Sequence, residues 1–161
     1  MVSKAQIESW LEDVTDPEIP VLTVMDMGIV RDIRITDDEI AVDITPTYTG
    51  CPAMDEISAN IVKRLAAEGL NKVNVKEVLT PVWTTDWLTE EGKRKLEEYG
   101  IAPPTDETAD KRALFGKQPV VRCPQCKSEN TTRVSQFGST ACKALYRCND
   151  CQEPFDYFKC L

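Results

Sequence analysis

Four cysteines near the C-terminus are spaced so that one metal ion could join them. Cys123 and Cys126 form one Cys-x-x-Cys pair, and Cys148 and Cys151 form another, with residues 127–147 between them. Each pair can make a tight turn that directs both sulfurs at one ion, and the stretch between them is long enough for a hairpin. The spacing predicts a tetrahedral four-thiolate zinc site that supports the fold. Iron is the competing metal, because four-thiolate iron sites use the same spacing.

The other cysteines are Cys51, Cys142 and Cys160, and the chain contains no histidine. The missing imidazole excludes a histidine general base, a Ser-His or Cys-His nucleophile and a histidine-ligated iron site. Clustered cysteines in a reducing compartment indicate metal or redox chemistry rather than disulfides. Cys142 and Cys160 have two interpretations. Both are small buried hydrophobic side chains, or they are auxiliary thiols that accept metal or sulfur.

Cys51 stands alone in the N-terminal part of the chain, directly before the proline that begins a predicted helix. We expect it at the N-cap of this helix, where free backbone N–H groups and the helix dipole favour the thiolate and lower the thiol pKa. A thiolate is both a nucleophile and a soft metal ligand. Asp16 and Glu18 supply carboxylates in a nearby turn, and Asp26 supplies another. The residue types alone leave two interpretations open, an inert buried thiol and a functional one.

Helices that alternate with a small sheet must position these side chains. Ser3 and Gln6 form a capping box at the start of the first helix. Apolar residues alternate along the predicted strands and recur at helical spacing along the predicted helices. We predict strands at residues 29–35, 40–45 and 73–79, and further helices from Pro52 to a cap at Gly69 and from Thr89 to Tyr99. The predicted fold class is α/β (α+β), with a three-stranded sheet and helices followed by a zinc ribbon of short antiparallel strands.

The sequence also predicts that the chain is divided into three segments. Residues 1–100 form the α/β domain, and residues 101–118 form a polar, proline-bearing linker or arm. Residues 119–161 form the zinc ribbon, with strands near 131–137 and 141–147. A module of this length cannot bury enough core to fold alone, so the metal supplies folding free energy.

Charge is distributed unevenly along the chain. Residues 1–116 carry a net charge of −11 and residues 117–161 carry +3, for a total of −8. A nucleic-acid binder needs a basic face that displaces counterions, so we expect no nucleic-acid partner. No apolar run is long enough to cross a bilayer, and the first residues lack the apolar core of a signal peptide. We therefore expect a cytoplasmic protein without membrane contact.

Three motifs resemble the metal-sulfur cluster biosynthetic family, whose members include bacterial SufT and a eukaryotic cytosolic iron–sulfur assembly factor. They are Asp16-Pro17-Glu18-Ile19-Pro20, Asp26-Met27-Gly28-Ile29-Val30 and Thr45-Pro46-Thr47-Tyr48-Thr49-Gly50-Cys51-Pro52. The resemblance covers residues 3–100, and only Met27 departs from the family's usual leucine, a volume-conserving difference. It implies that Cys51 is the functional cysteine and binds an iron–sulfur cluster or iron transiently. Asp16, Glu18 and Asp26 are then the candidate further ligands.

Residues 81–87, 99–104, 138–145 and 153–160 are similar to a narrower subgroup called PaaD or PaaJ. That subgroup is associated with the phenylacetyl-CoA oxygenase (ring 1,2-epoxidase) of aerobic phenylacetate breakdown. The resemblance implies an accessory subunit that acts in iron–sulfur cluster assembly or delivery to the complex. It also implies the oxygenase subunits as partners, especially the iron–sulfur flavin reductase, together with general iron–sulfur assembly proteins.

The residue types agree with a non-catalytic subunit. A di-iron oxygenase centre needs Glu-x-x-His motifs on long helices, and electron delivery needs a dinucleotide site or a cluster loop. The chain has no histidine and no G-x-G-x-x-G. One thiolate holds a cluster weakly, which suits a carrier and requires further ligands from Asp16, Glu18, glutathione or Cys51 of a second copy. The last arrangement would be a homodimer. The alternative function is a structural subunit that braces the oxygenase complex.

Overall fold

The computed structural model describes residues 1–104 and 120–159, and the chain divides into two compact units. The N-terminal unit, Met1–Trp83, contains α1 (Lys4–Leu11), β1 (Val30–Ile35), β2 (Ile40–Ile44), α2 (Ala53–Ala66) and β3 (Val73–Glu77). The C-terminal unit, Thr84–Leu161, contains a short 3₁₀ helix (Thr85–Trp87), α3 (Glu90–Tyr99), β4 (Ile101–Ala102), β5 (Thr131–Ser135), β6 (Lys143–Cys148) and β7 (Pro154–Phe158).

The first helix begins as the sequence predicts. The Ser3 hydroxyl accepts the Gln6 backbone N–H at 3.3 Å, and the Gln6 side-chain oxygen accepts the Ser3 backbone N–H at 2.9 Å. This reciprocal pair satisfies two backbone donors that a helix start otherwise leaves open. The helix buries Ile7 and Leu11 in the core of the N-terminal unit.

The sheet of the N-terminal unit has the order β1-β2-β3. β1 and β2 are antiparallel, with Ile33 opposite Val42, and β2 and β3 are parallel, with Val42 opposite Val75. A parallel pair needs a long crossover, and α2 supplies it. Ile57, Ile61 and Leu65 lie fully buried along one side of that helix.

Trp83 is the last residue of the N-terminal unit. Its side chain is 1% exposed, and its indole N–H donates to the backbone oxygen of Met27 at 2.8 Å. A buried indole N–H needs such a partner, and the bond fixes the segment after β3 against the turn that precedes β1. That turn contains Asp26, one of the candidate carboxylates.

The C-terminal unit is built on a four-stranded sheet of order β4-β7-β6-β5. β5, β6 and β7 are antiparallel neighbours, and β4 joins β7 in parallel. Tyr146 packs against Phe155 and Tyr157, with ring centroids 5.9 and 5.6 Å apart. These rings form a core with Val121 and other buried residues, Ala102, Cys123, Ala144 and Cys148.

The division of the chain differs from the one expected from sequence. The boundary along the chain falls between Trp83 and Thr84 rather than near residue 100, and α3 belongs to the C-terminal unit. Lys127 forms an ion pair with Glu97 of α3, which links this helix to the first Cys-x-x-Cys turn. Ile101 and Ala102, expected at the start of a linker, form β4 because their apolar side chains are buried against β7. The expected linker beyond residue 104 lies outside the described residues.

Within residues 1–104 and 120–159, no helix has the length and apolarity needed to cross a bilayer.

Candidate functional site

The four C-terminal cysteines converge as their spacing predicts. The sulfurs of Cys123, Cys126, Cys148 and Cys151 all lie within 4.8 Å of one another. The Cys123 and Cys151 sulfurs are 3.7 Å apart, and the Cys126 and Cys148 sulfurs are 3.5 Å apart. A tetrahedral zinc ion with Zn–S bonds of about 2.3 Å places its sulfurs about 3.8 Å apart. The donor set and its spacing therefore fit a four-thiolate metal ion.

Two similar turns hold the four sulfurs. In the first turn, the Cys123 N–H donates to the Ser128 oxygen at 2.9 Å, and the Lys127 N–H donates to the Cys123 oxygen at 3.0 Å. In the second turn, the Cys148 N–H donates to the Glu153 oxygen at 2.9 Å. Lys127 and Gln152 follow the second cysteine of each turn and have φ of 63° and 66°. This left-handed conformation lets each turn fold back over its cysteines.

The surroundings of the sulfurs do not all act in the same direction. Burial and the neighbouring sulfurs raise the pKa of Cys151 to about 12, and the Cys148 sulfur raises that of Cys126, whereas the pKa of Cys148 is lowered. Cys123 and Cys148 are buried, whereas Cys126 and Cys151 are exposed. The backbone N–H of Cys151, helped by that of Asp150, lowers the pKa of Cys148 to about 7. Backbone donors directed at sulfur stabilise the deprotonated form that a metal needs.

Cys51 lies at the end of the loop that connects β2 to α2. The structure corrects its expected position by one residue: the N-cap is Pro52, and α2 begins at Ala53. The Cys51 N–H donates to the Tyr48 oxygen at 3.2 Å, and the Cys51 oxygen accepts the Met54 N–H at 3.2 Å. Cys51 therefore sits in a turn just before the helix, where its side chain is half-buried.

The expected low pKa of Cys51 is also wrong. Burial raises the pKa of the Cys51 thiol, and the negative charges of Glu18 and Asp16 raise it further. Hydrogen bonds from the Ala53 backbone N–H and from the Tyr48 hydroxyl lower it, but they do not prevail. Partial burial and the two nearby carboxylates raise the thiol pKa more than the start of the helix lowers it, so the resting form is the neutral thiol.

The candidate carboxylates have different places in the structure. Asp16 accepts the backbone N–H groups of Glu18 and Ile19 at 2.7 and 3.0 Å, which shapes the turn beside Cys51. Asp26 accepts the Thr23 N–H at 3.1 Å, and its own N–H donates to the Thr23 hydroxyl at 3.0 Å. Asp16 and Asp26 are each 5% exposed. The structure thus brings Asp16 and Glu18 to Cys51, while the hydrogen bonds of Asp26 organise its own turn.

Two cysteines remain among the candidate residues, and two further polar residues belong to the motif that contains Cys51. Cys142 is buried, with the Thr140 hydroxyl 3.1 Å from its sulfur, and Cys160 lies outside the described residues. Tyr48 is a contact of Cys51 that the sequence did not single out, although it stands in the quoted motif. The Thr45 hydroxyl, where that motif begins, is buried and has no hydrogen-bond partner in the described part of the chain.

Comparison with known proteins finds one family match within each unit. Residues 4–79 match a family described as iron-sulfur cluster assembly protein, and residues 107–159 match the PaaD zinc beta ribbon domain. The chain is 46% identical over 156 residues to a putative 1,2-phenylacetyl-CoA epoxidase subunit of Escherichia coli, covering 97% of this chain and 92% of that protein. The chain belongs to the PaaD family.

Other relatives of this PaaD-family chain match its N-terminal part. An Fe-S protein maturation auxiliary factor of Porphyromonas gingivalis is 31% identical over 96 residues, covering 58% of this chain and 90% of that protein. A domain of unknown function (DUF59) from Bacillus anthracis is 25% identical, with a TM-score of 0.54, over 58% of this chain and 90% of its own. A conserved hypothetical protein from Thermotoga maritima is 31% identical, with a TM-score of 0.51, over 59% of this chain and 94% of its own. The predicted family and α/β fold class are confirmed.

Proposed function

We propose that this chain is an accessory factor of a phenylacetyl-CoA epoxidase complex that delivers iron or an iron–sulfur cluster to it. Cys51 carries the cargo transiently, and the client is the iron–sulfur flavin reductase subunit. The chain matures the complex and does not catalyse the epoxidation. The observation that carries the proposal is the arrangement at Cys51, a half-buried thiol with Asp16 and Glu18 beside it. Two relatives support it, one named as an epoxidase subunit and one as an Fe-S maturation factor.

The chemistry of this site suits a cargo that must leave again. The carboxylates of Asp16 and Glu18 attract a cation, and the arriving cation takes the place of the proton on Cys51. One thiolate with two carboxylates gives fewer soft ligands than a permanent cluster site, which uses four cysteines. The remaining ligands would come from glutathione, a general iron–sulfur assembly protein, the client or a second copy of the chain as a homodimer.

The ribbon metal has a separate role in this proposal. We assign it as zinc, because the four thiolates leave no open position for chemistry and zinc has no redox reaction of its own. When bound, the ion supplies folding free energy to the C-terminal unit, and Cys123, Cys126, Cys148 and Cys151 hold it. Elemental analysis of the purified chain should give one zinc per chain, and iron with thiolate charge-transfer absorbance would contradict the assignment.

Anaerobic reconstitution tests the carrier. The full chain, Cys51→Ser and the matched control Cys142→Ser receive ferrous iron and sulfide, and bound iron and sulfide are measured after desalting. The parent and the control should retain both, while Cys51→Ser should retain neither. Because Pro52 is the N-cap and makes no side-chain cap bond, the Cys51 substitution costs no cap. Equal retention by all three proteins would leave the chain as a structural brace of the complex.

A further inference from the structure

The two turns that hold the four sulfurs are joined by side chains as well as by their common site. Asn149 and Asp150 are the two residues between Cys148 and Cys151, and both reach back to the segment that follows the first turn. The Asn130 side-chain N–H donates to the Asp150 carboxylate at 3.1 Å, and the Ser128 hydroxyl donates to its other oxygen. We call Ser128, Asn130, Asn149 and Asp150 the clasp.

The clasp continues onto β5. The Asn149 side-chain N–H donates to the Asn130 side-chain oxygen at 3.1 Å and to the Thr132 hydroxyl at 3.0 Å. The backbones of the same two residues are also joined, because the Asn149 N–H donates to the Asn130 oxygen at 2.9 Å. The Asn130 N–H also donates to the Ser128 hydroxyl at 3.0 Å, which fixes that hydroxyl toward Asp150. Each clasp side chain therefore has a partner across the gap between the turns.

This arrangement bears directly on the metal. A metal ion can leave only when thiolates detach in succession, and the first step is easiest where a turn can swing away. The exposed sulfurs of Cys126 and Cys151 lie on different turns, and the clasp lies beside both. We propose that the clasp is a positioning device that holds the two turns in register and so slows metal release from the four-thiolate site. The inference rests on the proposed zinc and is independent of any carrier role for Cys51.

Asp150 is the centre of the device. It accepts from both Ser128 and Asn130, so one substitution disconnects the two turns at that point. Partners that orient metal ligands typically contribute 10–100-fold to metal affinity. Because Asn130, Asn149 and Asp150 are exposed, we place the effect of Asp150→Ala on the zinc release rate at the lower end of this range, about tenfold. Asp150→Asn keeps an acceptor for Asn130 and gains a donor for the Ser128 oxygen, so it should restore most of the slow release.

The test measures zinc transfer from the purified full chain to an excess of the chromogenic chelator 4-(2-pyridylazo)resorcinol at pH 7.5. All proteins carry Cys51→Ser, so cargo at that residue cannot contribute, and metal analysis beforehand checks the zinc assignment separately. Glu129→Ala is the matched control, because it also removes a carboxylate from this surface, and the described partner of Glu129 is Arg122 at 3.4 Å. We expect faster release for Asp150→Ala, the parental rate for Glu129→Ala and a rate close to the parental one for Asp150→Asn.

Three results would overturn the proposal. Parental release by Asp150→Ala would show that the clasp does not hold the metal. Equal acceleration by Asp150→Ala and Glu129→Ala, or no rescue by Asp150→Asn, would show that negative charge near the thiolates matters and the hydrogen bonds do not. If Asp150→Ala does not fold, Ser128→Ala decides, since it removes one bond of the clasp and should still accelerate release severalfold.

Discussion

At Cys51, two influences on the thiol oppose each other. The Ala53 N–H and the Tyr48 hydroxyl stabilise the thiolate, whereas burial and the charges of Glu18 and Asp16 favour the thiol. The second group prevails and raises the pKa. A neutral resting thiol is protected from oxidation and alkylation, yet a metal cation reverses the balance because it is attracted by the same carboxylates. Reactivity at this residue should therefore depend on the neighbouring charges.

Glu18→Gln should make Cys51 more reactive. Removing a negative charge lowers the thiol pKa and so increases the thiolate fraction, and iodoacetamide alkylation near neutral pH should accelerate severalfold, by up to about tenfold. Site-resolved mass spectrometry over a pH range that extends well above the ordinary cysteine pKa of about 8.5 measures the midpoint for Cys51, which should shift to lower pH. Glu39→Gln, at the opposite end of β2, should leave the midpoint unchanged. An unchanged or higher midpoint in Glu18→Gln would contradict the described electrostatics.

Among the elements, α3 belongs to the C-terminal unit, although the sequence predicted it as part of the N-terminal domain. Its C-cap, Gly100, has a φ of 92°, and this left-handed residue leads directly into β4. A Cβ at Gly100 would approach the Gln125 side chain at 3.7 Å, an ordinary contact, so any cost of a substitution comes from the backbone. Gly100 thus joins α3 directly to β4, which is the edge strand of the C-terminal sheet.

Gly100→Ala should destabilise the C-terminal unit by about 1–2 kcal/mol, the cost of a left-handed conformation in a residue with a Cβ. Gly100→Asn should cost less, because asparagine tolerates this region. Urea unfolding of the metal-loaded chain, followed by circular dichroism, measures both variants. Stability equal to that of the parent in Gly100→Ala would show that α3 and β4 are not part of the cooperative unit.

Features set by neighbouring residues were predictable from sequence, and features set by distant contacts were not. The Ser3 capping box and the two Cys-x-x-Cys turns follow from short spacings, and both have the expected form. The pKa of Cys51 depends on burial and on carboxylates more than thirty positions away, so the helix end alone gave the wrong direction. β4 has only two residues, too few for a periodic signal, and it forms because β7 offers an edge.

For the whole molecule, the division into two units predicts which part of the chain unfolds when the metal is lost. Each unit has its own sheet and core, and the four thiolates lie in the C-terminal unit alone. Metal removal should therefore unfold one unit and leave the other native. This predicted unit includes α3 and β4 as well as the ribbon.

Cys148→Ser, or chelation of the parent, should abolish hydrogen-exchange protection in residues 84–104 and 120–159 while preserving it in residues 4–79. Exchange measured by mass spectrometry resolves these segments, and the clasp control Glu129→Ala should keep protection in all of them. Protection that survives in α3 after metal loss would place that helix outside the metal-dependent unit. Protection lost throughout the chain would show that the two units unfold together.

The central claim is that Cys51 delivers iron or an iron–sulfur cluster to the reductase. The most direct measurement is the iron and acid-labile sulfide content of the reductase subunit, purified from cells that coexpress the epoxidase subunits with the parent chain, with Cys51→Ser or with Cys142→Ser. We predict an iron- and sulfide-poor reductase only with Cys51→Ser, at normal subunit stoichiometry and with the ribbon metal retained. A fully loaded reductase with Cys51→Ser would contradict the claim.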